Sequence, residues 1–235
     1  MTICSVCQSE NDEFAVTCKK CKGFLQNRIP NLNLFETAWG VIESPRATFR
    51  QIALAEHKNF SVLLFGLFGI GLSFTALWHF KLGDRFSTLL DLIIIATVSG
   101  PVIGIVVGLF ISTVFHFLAK MIGGKGTFRT SVGVMAYSLT PIILSVFLVL
   151  PIELLTFGMY MFTSNPHPYV LKPLSYVLLI GFDSLVTGWS CVLASIGAMI
   201  VHGMSWVKAL FLICLVLGVL SGVLSLTSDT LSRAF

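Results

Sequence analysis

Four cysteines near the N-terminus carry the spacing with the clearest chemistry in the chain. Cys4, Cys7, Cys18 and Cys21 form the pattern C-x2-C-x10-C-x2-C. Each C-x2-C turn brings two thiolates within about 4 Å, and two such turns make a closed tetrahedral shell of four sulfurs. Soft thiolates favour zinc over a hard cation. The pattern therefore predicts a structural Zn²⁺ site in a small ribbon.

Two other chemistries also use four cysteines. A pair of disulfides needs an oxidising compartment, and an iron–sulfur or rubredoxin-like iron site takes four thiolates as well. We expect zinc because nothing else in the sequence suggests electron transfer. Roughly 25 residues cannot build a stable core alone, so the metal would supply folding free energy on the order of 10 kcal/mol.

Three ionisable residues in or beside apolar runs form a second candidate site. Glu153 and Asp183 would lie at comparable depth, in the half of the membrane away from the N-terminus, and His79, near the outer end of the first span, could join them. A charge at the bilayer centre costs about 2.5–3.5 kcal/mol on insertion scales, so such residues need a partner, a proton or water. One interpretation is a polar pocket for a cation, a proton or a lipid headgroup. The other is local, with Glu153 near the interface at a kink and Asp183 bonded to a neighbour such as Ser184 or Tyr176.

Composition indicates which elements must position these residues. Of the 235 residues, 55% are hydrophobic and only 11% are charged, whereas soluble domains average about 25% charged. Because lipid is an apolar solvent, it accommodates such a chain as helices. We expect an all-α membrane protein with a five-span transmembrane helical bundle. The predicted spans are Phe60 to Phe80, Leu89 to Leu118, Ser131 to Phe162, Leu174 to Val201 and Val207 to Leu226.

Pro101, Pro141 and Pro151 fall inside the two longest runs and predict kinks there. The distribution of basic residues predicts the orientation, since cytosolic loops carry an excess of lysine and arginine. Placing the N-terminus in the cytosol puts eleven of the 15 basic residues on that side, Arg28, Arg46 and Lys58 among them. The C-terminus then lies outside.

Small residues recur at four-residue spacing in three of the spans. They are Gly100, Gly104 and Gly108 in the second, Ser190, Ala194 and Ala198 in the fourth, and Gly218 and Gly222 in the fifth. Such stripes let two helix backbones approach closely in lipid. They serve either packing within the bundle or an interface in a homo-oligomer.

The stretch before the first span predicts two amphipathic helices. Phe35 and Trp39 fall on one face of the first, and Ser44 followed by Pro45 is typical of the start of a second. We expect these helices to lie at the membrane interface. Three segments follow: residues 1–28 as the ribbon, 29–59 as linker and interfacial helices, and 60–235 as the membrane domain.

Several short motifs resemble those of a known family. The run Gly-Gly-Lys-Gly-Thr-Phe at residues 123–128, followed by Ala-Tyr-Ser-Leu-Thr-Pro at 136–141, resembles the signature of the Yip family, membrane proteins first known as interactors of Rab-type GTPases. Ser-Pro-Arg-Ala-Thr-Phe at 44–49 resembles the helix before its first span. Trp189 and the run from Trp206 to Leu210 resemble its last hairpin. The likeness covers about residues 34–227, and five spans fit the family.

The N-terminal segment of residues 1–28 resembles a prokaryotic zinc ribbon, in which Asn11, Phe14 and Leu25 take matching places. Gln8 and Lys22 stand at the two positions where that ribbon usually has glycine. The resemblance implies a non-enzymatic protein of a prokaryotic cytoplasmic membrane that organises membrane or protein partners, with the ribbon as a docking module. The sequence shows no nucleophile–base pair, and no nucleic-acid partner is expected. The alternative is a transporter or lipid scramblase that uses the polar pocket.

Overall fold

The computed structural model describes residues 2–11, 14–27, 31–57 and 60–234, without the side chains of residues 223, 224 and 226–234. About 75% of the chain is helical. Arg28 and Lys58, which enter the orientation argument, lie outside the described residues, as does the side chain of Arg233.

The ribbon precedes two short helices. It opens with the antiparallel strands β1 (Thr2–Ile3) and β2 (Glu10–Asn11), in which Thr2 pairs with Asn11. The helices are α1 (Leu34–Glu43) and α2 (Pro45–Leu54). Asn33 caps α1 by accepting hydrogen bonds from the backbone N–H groups of Phe35 and Glu36.

Helix α2 packs into the bundle. It begins as predicted, with Ser44 as its N-cap residue and Pro45 at the first position, but the Ser44 hydroxyl donates to the carbonyl of Gly40 at 3.4 Å. Phe49 and Ile52 are fully buried, and α2 contacts α8 (Pro173–His202) and α5 (Phe128–Ser138). Its apolar face is therefore covered by protein.

Long helices make up the rest of the molecule. They are α3 (Ser61–His79), α4 (Leu89–Met121), α5, α6 (Thr140–Phe157), α8 and α9 (Trp206–Ala234), with a short α7 (Pro168–Leu171) before α8. Single 3₁₀ turns at Leu82–Arg85 and Gly158–Met161 lie in the connections that follow α3 and α6. Thr88 caps α4 by accepting from the N–H of Asp91, and Thr127 and Thr130 form a capping box at the start of α5.

Four stretches of the described chain are long and apolar enough to cross a membrane: Ser61–His79, Leu89–Met121, Phe128–Met161 and Pro173–His202. They coincide with the first four predicted spans, so the membrane assignment is confirmed. The fifth falls on α9, where the apolar helix Trp206–Gly222 is shorter, and the count of five stays a prediction.

The third span is broken where the sequence predicted a kink. α5 ends at Ser138 and α6 begins at Thr140 with Pro141 in its first turn, so one apolar stretch is built from two helices. Pro101 and Pro151 lie inside α4 and α6, which continue through them.

Helices α3 and α4 approach each other at their glycines. A Cβ built on Gly69 would collide with the Gly100 carbonyl and the backbone of Gly104, and one on Gly100 would lie 2.7 Å from the Cα of Ile70. At Gly108 the ring of Phe65 occupies the space. The predicted stripe on α4 therefore packs within the chain, against α3.

The other two stripes differ from each other. Ser190, Ala194 and Ala198 are buried in the bundle. No atom lies within 4 Å of a Cβ built on Gly218 or Gly222, so the α9 stripe faces open space among the described residues. Self-association through that stripe stays a prediction.

Replacing Gly104 with Ala should destabilise the bundle, because the new methyl group must separate two helix backbones. We expect a loss of about 1–3 kcal/mol, the usual cost of overpacking. It would be measured as a lower midpoint of thermal unfolding in detergent, followed by tryptophan fluorescence. Gly218→Ala is the matched control and should leave the midpoint unchanged or slightly raised. Equal midpoints for Gly104→Ala and the unaltered protein would contradict the α3–α4 contact.

Candidate functional site: a four-cysteine cluster and two polar clusters in the bundle

The two cysteine turns have the same backbone geometry. The N–H of Gln8 donates to the carbonyl of Cys4, and the N–H of Lys22 donates to that of Cys18, each at 3.0 Å. Gln8 and Lys22 have φ angles of 55° and 60°, the left-handed region that favours glycine. These are the two positions where the sequence departs from the usual ribbon pattern, and both residues adopt the conformation that glycine would adopt.

The four sulfurs are gathered in one place. All lie within 4.8 Å of one another, with Cys4 and Cys21 at 3.6 Å and Cys7 and Cys18 at 3.5 Å. A tetrahedron with metal–sulfur bonds of about 2.3 Å has edges of about 3.8 Å, close to these separations. All six cysteines of the chain are free, so the disulfide alternative does not describe this structure. The four thiols form a donor set that could hold a metal ion.

At two of the four cysteines, Cys7 and Cys18, polar neighbours favour the thiolate form in which cysteine binds metal. The Ser9 hydroxyl lies 3.0 Å from the sulfur of Cys7 and 3.1 Å from that of Cys18, and the Asn11 amide donates to Cys18 at 3.5 Å. The backbone N–H of Cys21, followed by the Ser9 hydroxyl, lowers the pKa of Cys18 to about 5. Hydrogen bonds from Ser9 also lower the pKa of Cys7. Deprotonated thiols are the species that coordinate zinc.

The two intramembrane acids line one cavity of about 630 Å³ between α3, α6, α8 and α9. Asp183 accepts a hydrogen bond of 2.6 Å from the hydroxyl of Ser145, on the facing helix. Ser184, the neighbour suggested from sequence, instead donates to Ile180 of its own helix. Glu153 is 6% exposed, and its Oε1 has no hydrogen-bond partner. The structure thus brings Glu153 and Asp183 to the same space.

His79 lies elsewhere. It is exposed and packs its ring on Trp78 and Phe80, with centroids 6.4 and 5.0 Å away, and it is not part of the cavity lining. Beyond the end of α3, Lys81 places its ammonium 5.4 Å from the ring centre of Trp78, and burial lowers the pKa of that ammonium. The third predicted member of the pocket is therefore separate from the other two.

A second polar cluster lies at the opposite end of the bundle, which we call the ribbon end because residues 14–16 line a cavity there. The Ser131 hydroxyl lies 2.9 Å from Nδ1 of His116 and 3.0 Å from Nε2 of His202. His202 is 1% exposed, so its ring is enclosed by the bundle. The sequence did not reveal this cluster, because hydropathy does not show which way a helical side chain points.

The glycine-rich turn of residues 123–128 closes over this cluster. A Cβ on Gly124 would lie 2.7 Å from Nδ1 of His202, and one on Gly126 would lie 2.9 Å from Cε1 of the same ring. Gly123 has a φ angle of 92°, and the N–H of Lys125 donates to the His202 carbonyl at 3.1 Å. These glycines permit close contact with the end of α8. The signature turn is thus a packing element.

The cluster of Ser131, His116 and His202 lacks the arrangement of a catalytic triad among the described residues. Ser131 is fully buried beneath the turn, and no described residue hydrogen-bonds to Nδ1 of His202, so an acid that would orient the imidazole as a base is missing there. The arrangement supports packing of α4, α5 and α8. Together with the four apolar stretches, it defines the class: a polytopic helical membrane protein with an N-terminal cysteine cluster.

Comparison with known families agrees with this class. A sequence profile of the Yip1 domain matches residues 39–227, and the chain belongs to the Yip1 family. Proteins of this family are membrane-associated and generally non-enzymatic. Comparisons with curated proteins and with solved structures gave no match. The family match begins within α1, so it includes α2 with the membrane helices.

The purified full-length protein should contain about one equivalent of zinc, because one closed shell of four thiolates binds one ion. Cys18→Ser should abolish stoichiometric zinc, measured by plasma mass spectrometry after gel filtration in detergent. Cys214→Ser removes an exposed cysteine of α9 and is the matched control, which should retain the metal. Iron in place of zinc, or a metal content unchanged in Cys18→Ser, would contradict the assignment.

Ser131→Ala should destabilise the ribbon end by about 1–3 kcal/mol, because the buried Nε2 of His202 and the half-buried Nδ1 of His116 lose their partner. The midpoint of thermal unfolding in detergent would report the change. Ser184→Ala is the control, since that hydroxyl bonds only to a carbonyl of its own helix and is exposed. If both variants unfold at the same temperature as the unaltered protein, the serine does not join the two histidines.

Proposed function

We propose that this Yip1-family protein organises protein or membrane partners and that its zinc-holding ribbon is a cytosolic docking module. The observation that carries the proposal is the apolar surface of the ribbon. Ile3, Val6 and Phe24 are 62%, 72% and 62% exposed. A ribbon stabilised by four metal–sulfur bonds does not need these side chains for a core, so they are available for contact with a partner.

The position of the ribbon supports a docking role. Phe14, Ala15 and Val16 line a cavity of about 680 Å³ together with the end of α2 and the glycine-rich turn. The ribbon therefore lies beside the signature segment of the membrane domain. A partner that binds the ribbon would also be held close to this end of the bundle.

Helix α1 supports a membrane-surface location for the same end. It buries Val41 in the bundle and leaves Phe35 and Trp39, one turn apart, 84% and 65% exposed. Tryptophan at such a position is typical of the headgroup region of a bilayer. The helix can thus lie between the membrane domain and the lipid surface.

The proposed orientation places the ribbon in the cytosol, because most lysines and arginines lie on its side of the membrane. The reducing cytosol also keeps the four thiols available for metal. Fusion of a ribbon of this kind to a Yip1 domain further suggests a prokaryotic cytoplasmic membrane.

A photo-crosslinking residue placed at Val6 should form covalent adducts with soluble cytosolic proteins in intact cells. Contact through an exposed apolar patch places the partner within reach of the probe. The adducts would be detected by gel shift and identified by mass spectrometry. They should disappear when Cys18→Ser is added, because the ribbon then lacks its metal.

The matched control is the same probe at Val98, which is equally exposed at 72% but lies on the apolar helix α4. It should give no adducts with soluble proteins, since its surroundings are lipid. Adducts of Val6 with proteins from outside the membrane would reverse the orientation. Adducts that persist in the Cys18→Ser variant would contradict the proposal that the metal-bound ribbon is the docking module.

A further inference from the structure

The cavity that holds Glu153 and Asp183 has the size and lining of a small-molecule site. Its volume of about 630 Å³ falls in the range of ligand pockets, roughly 300–1,000 Å³. Most of its lining is apolar, with Phe68, Leu72 and Trp78 on one side and Ile180, Val216 and Leu220 on the other. The cavity is large enough for an organic molecule and larger than a small hydrated ion requires.

The polar groups of the cavity are concentrated and incompletely bonded. Glu153 is 6% exposed with Oε1 unpartnered, and Ser190 is 4% exposed with its hydroxyl unpartnered. Both side chains line the cavity, as does Asp183. Buried polar groups are normally satisfied, so two unpartnered oxygens on side chains that line one cavity indicate that a ligand is their partner.

The charged residues that line the cavity indicate which charge a ligand would carry. The described residues that line it include two acids and no lysine, arginine or histidine. Ser145 donates to Asp183, which satisfies one oxygen of that carboxylate and fixes its position. Glu153 and Asp183 lie close enough to hydrogen-bond to each other. The site therefore offers hydrogen-bond acceptors and a negative charge shared by two neighbouring carboxyl groups in apolar surroundings, where an ion without a partner is unfavourable.

We propose that this cavity binds a hydrophobic primary amine, with its ammonium group between Glu153 and Asp183 and its apolar part against α3 and α9. An ammonium group has three donors, enough for both acids and the Ser190 hydroxyl. A free amine fits better than an aminophospholipid, because the phosphate of the lipid would be repelled by the same two acids. This site is independent of the proposed docking role of the ribbon.

The test uses full-length protein in phosphatidylcholine nanodiscs and two probes with one skeleton. Amantadine is a cage hydrocarbon with a primary amine, and adamantanol carries a hydroxyl in its place. Equilibrium dialysis should show one saturable site for amantadine and binding at least about tenfold weaker for adamantanol, as loss of a buried charge pair implies. This comparison uses the unaltered chain and does not depend on the folding of any variant. Equal binding of the two probes overturns the proposal.

Substitutions then locate the site. Glu153→Gln and Asp183→Asn should each weaken amantadine binding by about tenfold or more and leave adamantanol binding unchanged. Asp91→Asn is the control, because Asp91 is an exposed acid at the start of α4 and is not part of the cavity lining. Amantadine binding that is unchanged when Glu153→Gln and Asp183→Asn are combined, or equally reduced in Asp91→Asn, overturns the assignment of the ammonium to these two acids.

Discussion

The close approach of α3 and α4 is the contact on which the rest of the bundle depends. Lipid provides no hydrophobic drive between two apolar helices, so association relies on van der Waals packing between backbones that come near enough. Gly69, Gly100 and Gly104 provide that proximity. α4 also runs the full length of the bundle, from Leu89 near the far end to Met121 beside the glycine-rich turn. The pair therefore fixes both ends relative to each other.

Two apolar cores are built around this pair. One surrounds Phe65, Phe115 and Leu193 towards the ribbon end, and the other surrounds Phe74 and Leu92 towards the far end. The lining of the 630 Å³ cavity includes members of both cores, Phe68 from the first and Phe74 from the second. The cavity thus lies where the two cores meet. The helices that line it are packed into one core on each side of it.

The sequence could predict the features that depend on composition and local spacing. The cysteine pattern, the first four spans and the Pro141 break follow from residue type alone, because metal ligation, lipid solubility and helix interruption are local properties. The bond between Ser145 and Asp183 joins residues 38 positions apart and depends on the rotation of two helices. The burial of His202 likewise depends on the rotation of its helix, α8. In an apolar helix every face looks alike, so periodicity does not indicate which face meets protein.

The two polar clusters of the bundle differ in residue type and in the space around them. At the ribbon end, Ser131 joins two imidazoles, and the remaining nitrogen of His202 packs against Gly124, so no space is left for another molecule. Glu153 and Ser190 line the cavity, and each keeps a buried oxygen without a partner. Nδ1 of His202 is unpartnered as well, so the open volume, and not a missing partner alone, distinguishes the cavity from the packed cluster. The packed cluster is therefore structural, and the open one is the place for a ligand.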